Sequence, residues 1–404
     1  MRKLSDQPWL IVLGSTLALT VGNGPIMQFT FGVFLKPLTA AFGIERGLGS
    51  LALTIGLLAT AFTLPLVGKL ADVLGPKLIG LVAVLLFALG VAAAGWLSPS
   101  IWIFMVLFAL AGVAAAGQTP LVYLKAISAR IDRRRGLALS IALTGVGIGS
   151  IITPIIAQHL INDYGWRGAY LGLAALLVVV AVPSLLLFIP GKADKASAQA
   201  SDTPAVDPPG LTPGEALRTW RFWLLVVCMF LGAAAANGTI AHVVPLLTDR
   251  GVSPDDAAAA MSVVAASAIV GRLAGGFLID RFWAPIISTV FFAGMIGAIG
   301  ILIFAQSAEQ ATIATVLLGL GLGVEADLVG FMVSRYLGTR AFGTLFGYAF
   351  ASFMLGSSLG PTAMGAVFDA TGSYALCQIA FMIGAALAAA GFLALGRYPY
   401  PAQR

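Results

Sequence analysis

Long apolar runs separated by short polar breaks repeat along the whole chain. Leu78 to Leu97 and Ile101 to Tyr123 each continue for about twenty residues without Asp, Glu, Lys or Arg; at about 1.5 Å per residue each can cross about 30 Å of hydrocarbon. Taking every such run between its breaks predicts twelve transmembrane helices, near 10–34, 49–67, 78–97, 101–123, 136–159, 167–189, 221–247, 257–279, 284–306, 310–333, 342–367 and 374–396. The start, "MRKLSDQPWLIVLG", passes into the first run without an A-x-A-like cleavage site, so it reads as the first span and not as a removable leader.

Composition agrees with an all-α integral membrane protein. Of 404 residues 59% are hydrophobic and only 10% charged, with a mean hydropathy of +0.98, whereas roughly a quarter of a soluble domain is charged. The net charge of +6 would suggest nucleic acid in a soluble protein, but its distribution excludes that reading. With both termini inside, the cytoplasmic segments collect eighteen of the twenty-three Lys and Arg, including Arg130, Arg133, Arg134 and Arg135. Lys36, Arg46, Arg167 and Arg250 fall outside, and Arg272 falls within the bilayer. That asymmetry orients a multi-pass protein of the inner (plasma) membrane, with the basic cluster at anionic lipid headgroups. Cys228 and Cys377 both sit in apolar runs, which supports neither a disulfide framework nor a zinc site, so no metal or cofactor is expected. No nucleophile–base pair or P-loop appears, and His159 and His242 lie in separate halves. An enzyme and an ATP-driven pump are therefore disfavoured.

Gly191 to Trp220 is rich in Ala, Pro, Ser and Asp and buries too little apolar surface to order itself, so it reads as a flexible cytoplasmic linker. It divides residues 1–190 from residues 221–404, two predicted six-helix bundles. A shift of 208 lays Gly68 on Gly276 and Asp72 on Asp280, and a shift of 207 lays "GIGSIITP", ending at Pro154, on "MLGSSLGP", ending at Pro361. Asn23-Gly24 pairs likewise with Asn237-Gly238. Ordered matches of this kind imply one six-helix unit used twice, and hence alternating access to a site near the midplane.

"GKLADVLGPK", Gly68 to Lys77, resembles the signature between the second and third helices of the major facilitator superfamily, G-x-L-a-D-r-x-G-r-[KR]. The resemblance makes Gly68, Asp72, Gly75 and Lys77, with Gly276 and Asp280 in the second half, a conformational motif. Glycines allow close helix approach, and Lys77 is expected to face cytoplasmic lipid. Val73 and Pro76 stand where basic residues are usual. A narrower likeness is carried by "FGVFLKPLTAAFG", Phe31 to Gly43, "RRRGLALSIALTGVGIGSIITP", Arg133 to Pro154, and "VGRLAGGFLID", Val270 to Asp280. Together these resemble the monocarboxylate transporter family and its bacterial relatives, the oxalate/formate exchangers. On that resemblance Lys36 matches the lysine at the outer end of the first helix, and Arg272 the arginine of the eighth helix that meets a substrate carboxylate. Ala268 stands where animal members carry an Asp.

Three of the forty charged residues fall clearly inside the hydrocarbon: Arg272, Glu325 and Asp327. Each costs at least about 2.5–3.5 kcal/mol there, which makes each a candidate for function. Arg272 precedes Asp280 by eight residues and Asp327 precedes Arg335 by eight, so both lie about 12 Å inside comparable boundaries. Glu325 and Asp327 are two apart, about 200° around a helix, so one is expected to face the cavity and the other a neighbouring helix. A permanent ion pair with Arg272 competes with a working one. In the working reading Asp327 balances Arg272 in the empty state, while Glu325 takes up the coupling proton or holds a helix. The planar guanidinium offers a carboxylate a bidentate fork.

Weaker polar candidates are Asn23 and Gln28 on the first helix, Gln118 and Tyr123 on the fourth, Asn237 and His242 on the seventh and Tyr348 on the eleventh. Each is a substrate contact or an interhelical packing group. His242 is an outer-gate residue or a satisfied interfacial histidine, and Lys36 attracts anions or reaches for headgroups. By the resemblance, Gly22, Gly24, Pro25, Gly117, Pro120 and Gly238 supply breaks in helices that bend around the cavity. The expected function is proton-coupled transport of a small organic anion, a monocarboxylate, by a monomer in the lipid bilayer, with no nucleic-acid partner. Carboxylate exchange without protons and a non-transporting sensor on the same scaffold are the alternatives.

Overall fold

The computed structural model describes residues 7–128, 131, 135–191, 209–304, 308–338 and 340–400. The side chains at 72, 128, 135–137, 280, 308, 326, 327 and 343 lie outside that description, as do Arg130, Arg133 and Arg134 of the basic cluster and 192–208 of the expected linker. Among the described residues nine helices are long and apolar enough to cross a membrane, or ten when a bent pair counts as one span.

The first expected span is α1 (Pro8–Thr20), a π-helical stretch Gly24–Phe29 and α2 (Phe31–Phe42). The second and third are α3 (Arg46–Leu74) and α4 (Pro76–Trp96). The fourth is α5 (Ile101–Ala115), a 3-10 turn Ala116–Gln118 and α6 (Pro120–Ser128). The fifth and sixth run together as α7 (Arg135–Phe188), broken at Gly165, whose φ of 68° and ψ of 174° suit glycine alone. After the short α8 (Pro213–Leu217) come α9 (Trp220–Asp249), α10 (Pro254–Arg281), α11 (Ala284–Phe304), α12 (Ala308–Tyr336), α13 (Phe342–Thr371) and α14 (Ala375–Ala394). The breaks expected in the first and fourth spans are present, at Gly22–Phe29 and at Ala116–Thr119. Gly238 does not break α9, because its missing side chain instead admits Phe381 and the Gly360 backbone.

Contacts divide the chain into two compact units, Met1–Ala200 with Ser253–Ser262, and Ser201–Val252 with Val263–Arg404. The first turns of α10 therefore belong to the first unit, held there by Ser262 donating to the Ile151 carbonyl and by Asn162 Nδ2 donating to Asp255 Oδ1 at 3.0 Å. His159 Nδ1 lies 3.8 Å from the same Asp255 oxygen.

Each unit is locked by glycines pressed on carbonyls. Lipid is as apolar as leucine, so helices gain little by hiding apolar faces from it, and close backbone packing does that work instead. In the first unit Gly145 and Gly149 of α7 lie against the Thr16 and Thr20 carbonyls of α1, and Gly112 of α5 lies on Gly56 of α3. In the second, Gly356 and Gly360 of α13 lie against the Phe230 and Ala234 carbonyls of α9, and Gly319 of α12 lies on Val264 of α10. The pair Gly112–Gly56 maps onto Gly319–Val264 at the offset of the sequence repeat.

Cations close the helix ends, where the last carbonyls lack intrahelical partners. Arg167 donates to the Ser98 carbonyl at 3.3 Å, and Arg250 to those of Leu302 and Ile303 at 2.6 and 3.1 Å. Lys77 reaches the Leu186 carbonyl at 2.7 Å, so its ammonium is anchored to protein rather than left to lipid. Order also extends into the expected linker. Leu211 N donates to Leu337 O at 2.8 Å, and α8 starts with a capping box in which Glu215 accepts from the Thr212 backbone N–H and hydroxyl, each at 2.8 Å. Those bonds, the backbone one first, hold the exposed Glu215 carboxyl below the usual carboxylate range.

Candidate functional site

α10 opens with Asp255 and Asp256 at its positive end and continues through an Ala-rich stretch to Arg272. Around that residue the helix is stripped of bulk: a Cβ on Gly271 would strike the Leu320 carbonyl, and one on Gly275 would strike Val324. Reciprocally, a Cβ on Gly323 of α12 would overlap the Ala268 carbonyl and sit 2.7 Å from the Arg272 amide nitrogen. The two helices therefore touch backbone to backbone at the arginine, whose side chain is half-buried. Gly323, two residues before Glu325, therefore stands level with Arg272 on the facing helix.

Glu325 is turned away from that contact. Gly323 faces α10, and two residues further round the carboxyl enters a pocket lined by Phe291, Phe292 and Met295 of α11 with Val324 and Leu328. Gly232 of α9 closes it, since a Cβ there would stand 2.8 Å from Oε1. The side chain is 4% exposed and, among the described residues, neither oxygen has a hydrogen-bond partner. α12 bends by 42° between its Glu309–Glu325 and Leu328–Tyr336 parts. The Asp327 side chain, like those of Asp72 and Asp280, lies outside the described residues.

The other candidates fall into separate places. Tyr123 donates to Gln118 Oε1 at 2.6 Å, and Gln118 Nε2 donates to the Gly80 carbonyl at 3.0 Å, all fully buried within the first unit. Asn237 Nδ2 donates to the Ala233 carbonyl and to Ser357 Oγ, both at 3.0 Å, tying α9 to α13. His242 is also buried there: Nε2 bonds the Pro361 carbonyl at 2.9 Å and so carries the proton, leaving Nδ1 to face the Tyr374 hydroxyl at 3.3 Å. That is the bonding of an interfacial packing histidine. Tyr374 and Ser357, its counterparts across the interface, carry no sequence signal that marks them as partners. Asn23 stands at the break of the first span with its Oδ1 buried and unbonded, while Gln28 and Lys36 are half-buried on the π-helical stretch and on α2. Tyr348 is 46% exposed, its ring edge-on to Phe222 at 6.3 Å. In the signature, Lys125 donates to the Gly68 carbonyl at 3.1 Å and Gly75 has a φ of 89°. Gly276 has open space around it.

The Tyr123–Gln118 geometry yields a direct test. Tyr123→Phe strands a buried amide oxygen, which costs about 1–3 kcal/mol. A lower melting temperature in detergent with unchanged uptake marks a packing pair; intact stability with weakened uptake marks a substrate contact.

Helices long and apolar enough to cross a membrane, gathered in two units that are each locked by small residues, are the build of a multi-pass membrane protein. The chain belongs to the Major Facilitator Superfamily, whose sequence pattern matches residues 17–361. It is 28% identical over 387 residues to monocarboxylate transporter 13 of Rattus norvegicus, covering 95% of this chain and 87% of that one. Monocarboxylate transporter 11 of Homo sapiens is 28% identical over 343 residues, covering 80% and 69%. The fold is shared with a bacterial homolog of the human lysosomal transporter Spinster in an inward-facing, occupied conformation (TM-score 0.74, 18% identity, 95% and 96% covered). It is shared also with the nucleoside transporter NupG (TM-score 0.76, 15% identity, 96% and 100% covered). The chain is a major facilitator transporter related to the monocarboxylate transporters.

Proposed function

We propose that this chain moves a small organic anion of the monocarboxylate class together with protons, by alternating access, as a monomer in the plasma membrane with both termini cytoplasmic. The observation that carries the reading is Arg272, half-buried inside a span and set where α10 and α12 touch. A guanidinium stays charged at every physiological pH and presents a planar fork to two carboxylate oxygens. The monocarboxylate transporters among its relatives support the same substrate class. In this reading Asn23, Gln28 and Tyr348 shape the cavity and Lys36 draws anions towards it. Gln118, Tyr123, Asn237 and His242, whose polar atoms are engaged within their own unit, hold the scaffold. Position 327, one turn beyond Gly323, is the natural counter-charge to Arg272 in the empty state. A dicarboxylate fits less well, because α13 carries no Lys or Arg to meet a second carboxylate.

Purified protein in liposomes tests this with labelled lactate, pyruvate, oxalate and branched-chain keto acids under an imposed pH gradient. Accumulation of a monocarboxylate in an alkaline interior is expected. Exchange that ignores the gradient would favour the uncoupled exchanger, and binding without uptake would favour a sensor.

A further inference from the structure

We propose that Glu325 is a proton-binding site of its own, separate from the anion site at Arg272, and that its apolar pocket between α9, α11 and α12 holds the neutral acid. The inference rests on the proton-coupled reading above and assigns the proton to a particular place in it.

The pocket leaves about 10 Å³ of free space, at the lower limit of the room one water needs. Its walls are phenylalanine, methionine, leucine, valine and glycine, and among the described residues no donor reaches either oxygen. An ionised carboxylate there would be an uncompensated charge in an apolar setting, whereas the neutral acid loses only its hydrogen bonds to water. Packing does not explain the residue either, because a leucine would fill the same space without that loss. A structural acid has partners, as Glu215 has in its capping box.

Among the described side chains, nothing charged faces the pocket from the helices around it. α11 and α14 contain no Asp, Glu, Lys, Arg or His. On α9, Arg221 and Asp249 sit at the two ends, the Cys228 thiol packs against Gly391, and His242 is engaged with Pro361 and Tyr374. α13 carries only Asp369, near its far end, besides the half-exposed Tyr348. Arg272 of α10 meets the opposite face of α12, and the Asp327 side chain lies outside the described residues.

The α10 backbone at Arg272 packs on the Gly323 face of α12, whereas the Glu325 carboxyl opens towards α9 and α11, so in this proposal the proton does not act by neutralising the arginine. Coupling runs instead through the position of α12. Its outer part is locked to α10 through Gly319, Gly323 and Gly271, and it bends immediately after Glu325. A shift of α10 on anion binding or release drags that part of α12 and lifts the carboxyl off Gly232 and Phe292. Once water reaches it, the O–H bond breaks and the proton passes to water, leaving a hydrated carboxylate. Reseating requires a proton from the side to which the pocket then opens.

Two measurements on the full-length protein in liposomes test the proposal. Infrared difference spectra across a pH titration read protonated carboxyl groups directly and need no substrate. A protonated-carboxyl band is expected in the wild type at neutral pH and is absent from Glu325→Gln; an identical band in both would overturn the assignment. In transport, Glu325→Gln is expected to lose at least tenfold of the pH-driven accumulation of labelled lactate or pyruvate while keeping exchange of the same acid. Wild-type pH dependence in that variant would place the proton elsewhere and leave the symport reading standing. Failure of the wild type itself to respond to pH would remove the symport reading, while the infrared band still reports on Glu325. Should the Gln variant not fold, Gly232→Ala, which pushes a methyl into the seat, is expected to move the band's titration to lower pH; an unmoved titration counts against the site.

Discussion

Arg272→Ala is expected to abolish uptake of the transported acid while leaving the protein folded in the membrane. Removing one partner of a desolvated charge pair costs about 2–5 kcal/mol, or roughly 30-fold to several thousand-fold in apparent affinity at about 1.4 kcal/mol per decade. The protein should stay folded, because the variant no longer places a cation in hydrocarbon, which itself costs about 2.5–3.5 kcal/mol, and a carboxylate left without its counter-charge there can take up a proton. Arg272→Lys is the informative companion. It keeps a charge but loses the fork, so partial uptake with weakened affinity is expected. Melting temperature in detergent and the amount of membrane-inserted protein must be measured alongside uptake. Wild-type uptake by Arg272→Ala would remove the anion site from α10.

Gly360→Val is expected to destabilise the protein strongly although it lies outside the proposed transport machinery. A Cβ at 360 collides with the Ala234 carbonyl and stands 3.0 Å from the Gly238 amide nitrogen, so α9 and α13 must separate. That separation also strains the Asn237–Ser357 and His242–Pro361 bonds that span the same interface. Overpacking costs about 1–3 kcal/mol, sometimes more, and here two buried polar links go with it. Gly276→Ala is the control: nothing lies within 4 Å of its added Cβ, and a surface change of that kind stays within about 0.5 kcal/mol. Thermal unfolding in detergent with a tag-fluorescence readout compares them. Equal melting temperatures would show that the α9–α13 contact carries no special load.

Much of the architecture is legible in the sequence, for identifiable reasons. The breaks at Gly22–Phe29 and Ala116–Thr119 follow from Pro25 beside Gly24 and Pro120 three residues after Gly117, since each proline removes a backbone donor locally. At the offset of the repeat one close contact recurs, Gly112 on Gly56 and Gly319 on Val264, whereas Gly68 meets Leu121 and Gly276 meets nothing. Arg272 stood out because a cation in hydrocarbon is costly wherever its neighbours lie. The linker was less transparent. Its composition hides the order of the segment around α8, which depends on Leu337 and Gly338, more than a hundred residues downstream. Gln118, Tyr123, Asn237 and His242 read equally well as cavity or packing groups until their partners were placed.

Spans, their breaks and the intramembrane charges are properties of a single segment: a run is apolar or it is not, and its backbone must bond to itself in lipid. The sequence by itself therefore determined a multi-span helical protein with a repeated half and three costly charges. Which way Glu325 points could not come from that source. Helical spacing sets it about 200° from Asp327, but only the packing of Gly323 on α10 and of Gly232 and Phe292 around the carboxyl chooses the face it takes. That choice belongs to contacts between helices, where a missing Cβ on one decides how closely the other can approach.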